Sequence, residues 1–243
     1  MRRKVGFLLL GLGALVLAWV GVIGWRGDPI TSLYTRYEQH ALAGRLSHVE
    51  RDWLLRNPLS PALPRGLATS SRAAGRGGTA LARVASAAGR RDARAFARTL
   101  GSGDPIGRIV IPRLHLRIIV VEGTSTSDLT SGVGHYNAAS GEATSLPGAG
   151  GVVALAGHRT TYLHPFRYID HLRPGDKIYL ELPYGTFRYT VYLHKVVASS
   201  DWSILRARPF EKLVLSACHP LYSATHRWVV FARLAGAGGP AAA

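Results

Sequence analysis

The stretch Lys212–Arg233, KLVLSACHPLYSATHRWVVFAR, decides the fold of this chain. It predicts a hydrophobic strand that ends on the single cysteine, Cys218, then a short polar link and a second strand that begins near Arg227. Pro220 ends the first strand because proline has no N–H to donate to a β ladder. The β-branched and aromatic run after Arg227 favours a pleated sheet. Two neighbouring strands with a short link bring a potential thiol nucleophile beside a permanent cation with five donors.

A histidine at the end of another predicted strand completes this group. Gly151–Arg159, GVVALAGHR, predicts a buried strand bounded by glycines, with His158 at its carboxyl end. Covalent catalysis by a thiol needs a nucleophile, a proton carrier and a group that holds a developing negative charge. Cys218, His158 and Arg227 have the right chemistry for these three roles. A buried, inert thiol is the usual alternative for a lone cysteine, but this setting favours a reactive one.

Two segments resemble the sortase family, the cysteine transpeptidases of Gram-positive cell surfaces. They are Ala156–Asp176, AGHRTTYLHPFRYIDHLRPGD, and Leu215–Arg227, LSACHPLYSATHR. The order His, Cys, Arg and the nine-residue step from Cys218 to Arg227 are specific. The resemblance implies a sortase β-barrel with catalytic Cys218, His158 and Arg227 and with no cofactor. L,D-transpeptidases use a Ser-x-Gly-Cys-x-Arg stretch that this chain lacks, and papain-like peptidases place the cysteine before the histidine.

The segment Cys218–Arg227, CHPLYSATHR, resembles the corresponding segment of class E sortases, the housekeeping type of GC-rich Gram-positive bacteria. The resemblance implies cleavage of a Leu-Ala-x-Thr-Gly or Leu-Pro-x-Thr-Gly sorting signal between Thr and Gly. The acyl group would pass to an amine of the lipid-linked peptidoglycan precursor, and secreted proteins with a C-terminal sorting signal would be the partners. One alternative is a pilin-polymerising sortase that uses a substrate lysine. Another is a catalytically impaired wall-binding relative.

Four further residues are candidates for substrate binding. Most sortases have Thr directly before the cysteine, whereas this chain has Ala217, so a hydroxyl that would contact the substrate is missing. His219 flanks the cysteine, and we expect it to bind or tune rather than catalyse. Tyr136 and Tyr222 are aromatic candidates for the substrate groove, with core packing as an equally good explanation.

A metal site is the weaker interpretation of the other histidines. His164 and His171 lie on a predicted loop and short helix after His158, with no nearby carboxylate or second cysteine pattern. We therefore expect no metal. Asp170 and Asp176 are interpreted as turn or capping residues rather than catalytic acids.

The amino terminus predicts a membrane anchor. Arg2, Arg3 and Lys4 precede the uncharged apolar run Val5–Trp25. As a helix this run is about 31 Å long, enough to cross a hydrocarbon core of roughly 30 Å. The basic flank places the amino terminus in the cytoplasm and the rest of the chain outside the cell. A cleaved signal peptide is the alternative, but a small-x-small cleavage site is poorly matched.

Composition divides the remainder into a stalk, a barrel and a tail. Residues 26–104 are expected to form an extracytoplasmic stalk: a first helix, a Pro-, Ser-, Gly- and Arg-rich spacer over Asn57–Gly78, and a second helix over Leu81–Leu100. About eight short strands over 105–234 predict one closed or nearly closed barrel, followed by a flexible tail over 235–243. The fold class is mainly β: an eight-stranded sortase-type barrel with short helices. The stripe expected on the first helix is Leu33, Tyr37, Leu42 and Leu46.

The net charge of the chain indicates which classes of partner it can bind. The 243 residues carry a net charge of +16, with thirteen basic and six acidic residues in 26–104 and fourteen and eight in 105–243. Such a surface is attracted to anionic lipid head groups, wall polymers and nucleic acid alike. The chain has no zinc-finger spacing, aromatic–basic RNA-binding signature or recognition-helix pattern, so a nucleic-acid partner is disfavoured. One cysteine also excludes an internal disulfide framework.

Overall fold

The structure, a computed structural model, describes residues 2–26, 29–57, 76–137 and 144–240. The α-helices are α1 (Arg2–Arg26), α2 (Pro29–Arg56), α3 (Arg76–Ala97) and α4 (Thr126–Thr130). The strands are β1 (Pro105–Ile111), β2 (Leu116–Glu122), β3 (Val133–His135), β4 (Val152–Ala156), β5 (Lys177–Leu182), β6 (Gly185–Ala198), β7 (Lys212–His219) and β8 (His226–Gly238). Short 3-10 helices cover Pro112–Leu114, Ile169–His171 and Trp202–Leu205, the last called the 202–205 helix below.

The eight strands close into one barrel in the order β1-β2-β3-β4-β7-β8-β6-β5. The pairs β2–β3 and β4–β7 are parallel, and the other pairs are antiparallel. This confirms the predicted eight-stranded barrel. Because β4 and β7 run side by side in the same direction, their carboxyl ends meet at one edge of the barrel.

Strand β7 divides its side chains between two faces, as the period-two alternation of a strand requires. Leu213, Leu215 and Ala217 point into the main hydrophobic core. Val214 faces a second, smaller cluster that also holds Ile204 of the 202–205 helix. The alternation therefore puts Cys218 on the outer face of the barrel, two residues beyond Ser216 on that same face.

Helix α2 packs on the outside of the barrel. Leu42 and Leu46 form a buried cluster with Ile119 and Val121 of β2. The side chain of Gln39 accepts a hydrogen bond from the Ile119 N–H at 2.8 Å and donates one to the Ser131 carbonyl at 2.6 Å. The first helix of the expected stalk is thus attached to the barrel along its length.

The stripe predicted for this helix is half wrong. Leu42 and Leu46 are buried, but Leu33 and Tyr37 are 71% and 72% exposed. The barrel-facing row instead begins with Thr35, which is fully buried and donates to the Thr130 carbonyl at 2.9 Å. Polar side chains that satisfy backbone groups of the barrel replace apolar ones in this half of the helix.

The other predicted boundaries differ in detail. Strand β8 continues past Leu234, the predicted end of the barrel, and its last residue, Gly238, pairs with Thr186. Residues 58–75 of the predicted spacer and 241–243 of the tail lie outside the described residues. Helix α3 covers most of the second predicted stalk helix, and its Phe96 packs on Trp53 of α2 with ring centroids 5.4 Å apart.

Helix α1 is the one helix in the described part of the chain that is long and apolar enough to cross a membrane, over Lys4–Gly21. Its large apolar side chains are exposed in the structure: Phe7 is 73% and Leu8 75% exposed. One amino-terminal apolar helix of this kind fits a single-pass membrane anchor.

Candidate active site

Cys218 and Arg227 lie directly opposite each other across the antiparallel β7–β8 pair. Opposite residues in such a pair have Cβ atoms about 4.5–5.5 Å apart and project from the same face. The Arg227 Nη1 group donates to the Ala224 carbonyl at 2.9 Å and to the His226 carbonyl at 3.0 Å. These bonds hold the guanidinium at the edge of the barrel, beside the half-buried thiol.

His158 reaches the other side of Cys218 through the parallel β4–β7 pair. Ala156 is in register with Ser216, and the Gly157 N–H donates to the Ser216 carbonyl at 3.2 Å. Two residues beyond this pair on each strand come His158 and Cys218. Nucleophile, imidazole and guanidinium are therefore brought to the same end of three adjacent strands, as the sequence predicts.

The imidazole of His158 is in an apolar, partly buried position. Its Nε2 atom is buried and has no hydrogen-bond partner among the described residues. Burial lowers the pKa of His158 below its usual 6.5. The ring is therefore mostly neutral at neutral pH, and its Nε2 atom makes no hydrogen bond with the described residues.

The chain segment after β4 is shaped to hold this ring. Gly157 allows the close approach of Phe166, because a Cβ at that position would lie 2.8 Å from the Phe166 ring. Tyr162 contacts the His158 ring with centroids 5.2 Å apart. Tyr162, Leu163 and His164 all have left-handed backbone, with φ of 51°, 61° and 39°. Such a run costs energy for residues other than glycine and needs outside support.

Part of that support comes from the first turn of α2. The Tyr162 N–H donates to the Thr31 hydroxyl at 3.1 Å, a contact between residues 131 positions apart. Helix α2, which follows α1 in the chain, therefore contacts the segment around Tyr162 that packs against the His158 ring. No short-range pattern in the sequence signals this contact.

Arg159 is a further residue of the site that the sequence interpretation did not single out. It is 3% exposed and forms an ion pair with Asp170 at 2.8 Å. Its guanidinium also donates to the Cys218 carbonyl at 3.4 Å and to His219 Nδ1 at 3.4 Å. Arg159 thus ties the end of β7 to the segment after His158 and positions both, with Asp170 as its structural partner.

Tyr136 stands beside the site on the outer face of the barrel. Its hydroxyl is hydrogen-bonded to the side chain of Ser216, and it is close enough to Cys218 and Arg227 for charge interactions with both. Burial raises the pKa of Tyr136, and this effect outweighs the opposing influence of Ser216 and Arg227. Trp202 meets the Tyr136 ring edge-on at 6.2 Å. Trp202 was missed because it lies in a loop sequence with no periodic pattern.

The structure treats the other three candidate substrate residues differently. Ala217 is 3% exposed in the main core, on the face of β7 opposite to Cys218. His219 stays next to the site, held between Arg159 and the Trp228 ring at 5.5 Å. Tyr222 is 64% exposed in the β7–β8 loop with a left-handed φ of 65°.

The remaining histidines do not gather into a ligand set. Within the described residues, no group of three His, Cys, Asp or Glu side chains could hold a metal ion. His171 packs against Tyr168 at 5.2 Å, and Asp176 forms an ion pair with Arg113 at 3.4 Å.

A closed eight-stranded barrel with Cys, His and Arg at the ends of adjacent strands has the architecture of a β-barrel cysteine transpeptidase. Residues 109–235 match the family model of the sortase domain. The chain belongs to the sortase family, whose members are cysteine transpeptidases.

Three relatives illustrate the similarity. The chain is 33% identical to sortase D of Bacillus subtilis over 136 residues and 32% identical to sortase SrtE1 of Streptomyces coelicolor over 152 residues. These matches cover 54% and 56% of this chain, but only 65% and 43% of those two proteins. The crystal structure of sortase E1 from Streptomyces coelicolor with a tripeptide in the active site matches with a TM-score of 0.52 and 28% identity. That match covers 56% of this chain and 91% of that structure.

Proposed function

We propose that this protein is a membrane-anchored sortase that cleaves a C-terminal sorting signal between Thr and Gly and transfers the carrier protein to an amine of a cell-wall precursor. The observation that carries the proposal is the pairing of Cys218 with Arg227 across β7–β8, with His158 two residues beyond the end of the adjacent strand β4. The catalytic roles below are part of the proposal.

In the first step the thiol proton of Cys218 passes to the neutral His158 imidazole, and the resulting thiolate attacks the threonine carbonyl carbon. The developing oxyanion accepts hydrogen bonds from the Arg227 guanidinium. The C–N bond to glycine then breaks, and the His158 imidazolium gives its proton to the departing amine. The products are a Cys218 thioester and a free peptide that begins with glycine.

In the second step the acceptor amine attacks the thioester carbonyl. His158, now neutral, removes a proton from the attacking nitrogen, and its lowered pKa and its Nε2 atom without a hydrogen-bond partner among the described residues support this role. Cys218 leaves as the thiolate, and a new amide bond joins the threonine to the acceptor. Atoms and protons balance over the two steps, so no cofactor is consumed.

The sorting signal is proposed from the resemblance of Cys218–Arg227 to class E sortases. A tripeptide occupies the active site of the Streptomyces coelicolor structure, which supports a peptide substrate beside Cys218. Tyr136 and Trp202 lie on the outer face next to the cysteine and offer aromatic contacts for such a peptide. We assign Leu-Ala-x-Thr-Gly as the preferred signal and Leu-Pro-x-Thr-Gly as the second.

The membrane placement also supports this function. Thr31, which bonds the active-site segment, lies only five residue steps after Arg26, the last residue of α1. Five residues span at most about 18 Å even when fully extended. If α1 crosses the membrane, the active site stays near the membrane surface, where a lipid-linked acceptor lies. The amino terminus is proposed to be cytoplasmic and the barrel extracytoplasmic.

The test uses the detergent-solubilised full chain with fluorogenic peptides that carry either signal and with hydroxylamine as the acceptor. We expect cleavage at Thr–Gly and formation of the hydroxamate. The variants Cys218→Ala, His158→Ala and Arg227→Ala should each lose nearly all of this activity. His226→Ala, which changes an exposed histidine on β8, is the matched control and should retain it.

Two outcomes would replace the proposal. Rapid joining of a lysine-bearing pilin peptide, with no use of small amines, would indicate a pilin-polymerising enzyme. Binding of purified wall polymer without any Cys218-dependent turnover would indicate a wall-binding relative.

A further inference from the structure

A large basic cavity lies at the other end of β7 from Cys218, and the mechanism above does not use it. Its volume is about 540 Å³. Among the described residues that line it, four are basic and none is acidic. The lining residues that carry the argument are Lys195, Arg206, Arg208, Phe210, Lys212 and Phe231.

Lys212 is the fixed element of this cavity. It is 2% exposed, and its ammonium group donates to the Ile204 carbonyl at 2.8 Å and to the Arg206 carbonyl at 2.6 Å. Ile204 belongs to the 202–205 helix, which also carries Trp202 beside Tyr136. The cavity and the active site therefore share one wall.

The other cations surround an aromatic floor. The ammonium groups of Lys212 and Lys195 lie 5.6 Å and 5.9 Å from the centre of the Phe231 ring. Arg206 and Arg208 are exposed on the rim. On the adjacent strand, Arg233 stacks on the Phe210 ring at 3.9 Å.

This positive charge is only weakly compensated. Burial, together with the nearby positive charges of Arg208 and Lys195, lowers the pKa of Lys212 to about 8. Asp201 is 4.0 Å from Lys195 and caps the N–H of Ser203. Glu211 is next to Lys212 in sequence but points to the barrel interior, where Tyr189 donates to it. Binding of an anion at such a positively charged site is therefore electrostatically favourable.

We propose that this cavity binds a phosphate group and that the bound phosphate stiffens the 202–205 helix at the edge of the active site. Arginine forks match phosphate oxygens in bidentate geometry. A phosphate monoester carries a charge of about −1.5 to −2 at pH 7, so it matches several cations better than a single carboxylate does. The Phe210 and Phe231 rings leave room for an apolar part next to the phosphate.

Two sources share this chemistry: a free phosphate compound in solution and the head group of an anionic lipid near the membrane anchor. The binding claim is independent of the proposed transpeptidase activity. The test measures phosphate binding and tryptophan fluorescence rather than peptide cleavage, so the two proposals can fail separately.

The test is calorimetric titration of inorganic pyrophosphate into the full chain held in neutral phosphatidylcholine nanodiscs, at constant ionic strength. We expect saturable binding at one site. The double variant Arg206→Gln/Arg208→Gln should weaken it at least about tenfold, because it removes charge-assisted hydrogen bonds. Both side chains are exposed, so the fold is retained. The double variant Arg94→Gln/Arg98→Gln removes the same charge from exposed positions beside the barrel and should bind as the parent does.

A spectroscopic readout links binding to the 202–205 helix. Pyrophosphate should change tryptophan fluorescence in the parent, and the change should be absent in Trp202→Phe. In phosphatidylglycerol nanodiscs, pyrophosphate binding persists if free phosphate is the ligand. If the lipid head group is the ligand, it competes with pyrophosphate and suppresses pyrophosphate binding, and this suppression depends on Arg206 and Arg208. Equal affinity in the two double variants, or no binding in either type of nanodisc, would overturn the proposal.

Discussion

At the residue scale, the partly buried imidazole of His158 makes the free energy of unfolding depend on pH. Burial lowers its pKa below 6.5, so the folded protein binds fewer protons than the unfolded chain between that lowered pKa and 6.5. The free energy of unfolding therefore rises with pH through this range. We expect His158→Gln to flatten the rise, measured by urea unfolding from about pH 5 to 7. The control is His226→Gln at an exposed position, and equal slopes in both variants would contradict the assignment.

Ala217 gives a second prediction at this scale. The alternation of β7 points its side chain into the main core, away from Cys218. Ala217→Thr therefore acts through packing and gives the substrate no new hydroxyl contact. Because the new side chain does not contact the peptide, we expect the ratio of kcat/KM for the Leu-Ala and Leu-Pro peptides to stay within about twofold of the parent value. A direct hydrogen bond is worth about 1.4 kcal/mol, which corresponds to a tenfold change. A shift of tenfold or more in that ratio would show a direct contact.

The approach of Cys218 to Arg227 could be predicted because two strands with a short link have a regular geometry, and the structure brings these residues together. His158 followed from a glycine-bounded strand that ends at the same edge. Arg159 and Trp202 could not be predicted in the same way. Their contacts with Cys218 and Tyr136 join segments about sixty residues apart and depend on how loops close over the barrel.

At the element scale, the first turn of α2 is part of the active-site scaffold. The Thr31 hydroxyl accepts the Tyr162 N–H, and Tyr162 contacts the His158 ring. We expect Thr31→Val to lower kcat several-fold with little change in KM and to shift the pH profile of kcat. The variant leaves an N–H without its partner in a strained turn. Thr31→Ser keeps the hydroxyl and should restore the parent values.

Thr35→Val is the matched control for this prediction. Thr35 lies one turn further along α2 and is fully buried, and its hydroxyl lies 2.9 Å from the carbonyl oxygens of both Thr130 and Thr31. It therefore bonds the backbone of Thr31 and not the Thr31 hydroxyl that accepts the Tyr162 N–H. Its loss should reduce stability by about 1 kcal/mol or more without changing the pH profile. If both variants alter kcat equally, α2 acts only through stability.

The docked face of α2 shows why this element was only partly predicted. The apolar pattern of the sequence predicts both the helix and the burial of Leu42 and Leu46. Thr35 and Gln39 were not, because polar side chains that bond the backbone of another element do not add to an apolar pattern. Their partners at Thr130 and Ile119 are at least 80 residues away.

At the scale of the whole molecule, α2 and the barrel should unfold as one unit. Leu46 is fully buried between α2 and β2, whereas Leu55 on the same helix is 79% exposed. Leu46→Ala should reduce the free energy of unfolding of the whole protein by about 2–5 kcal/mol. Leu55→Ala should change it by less than about 0.5 kcal/mol. Chemical unfolding followed by barrel tryptophan fluorescence measures both, and an unchanged barrel transition in Leu46→Ala would show an independent helix.

The most direct test of the central claim is intact-mass spectrometry of the acyl-enzyme. The detergent-solubilised full chain is mixed with a Leu-Ala-x-Thr-Gly peptide in the absence of an acceptor amine. We predict an adduct equal to the peptide up to its threonine, located on the proteolytic fragment that contains Cys218 and removed by hydroxylamine. Arg227→Ala and His158→Ala should strongly reduce it. An adduct on another residue, or cleavage that persists in Cys218→Ala, would contradict a mechanism that depends on this cysteine.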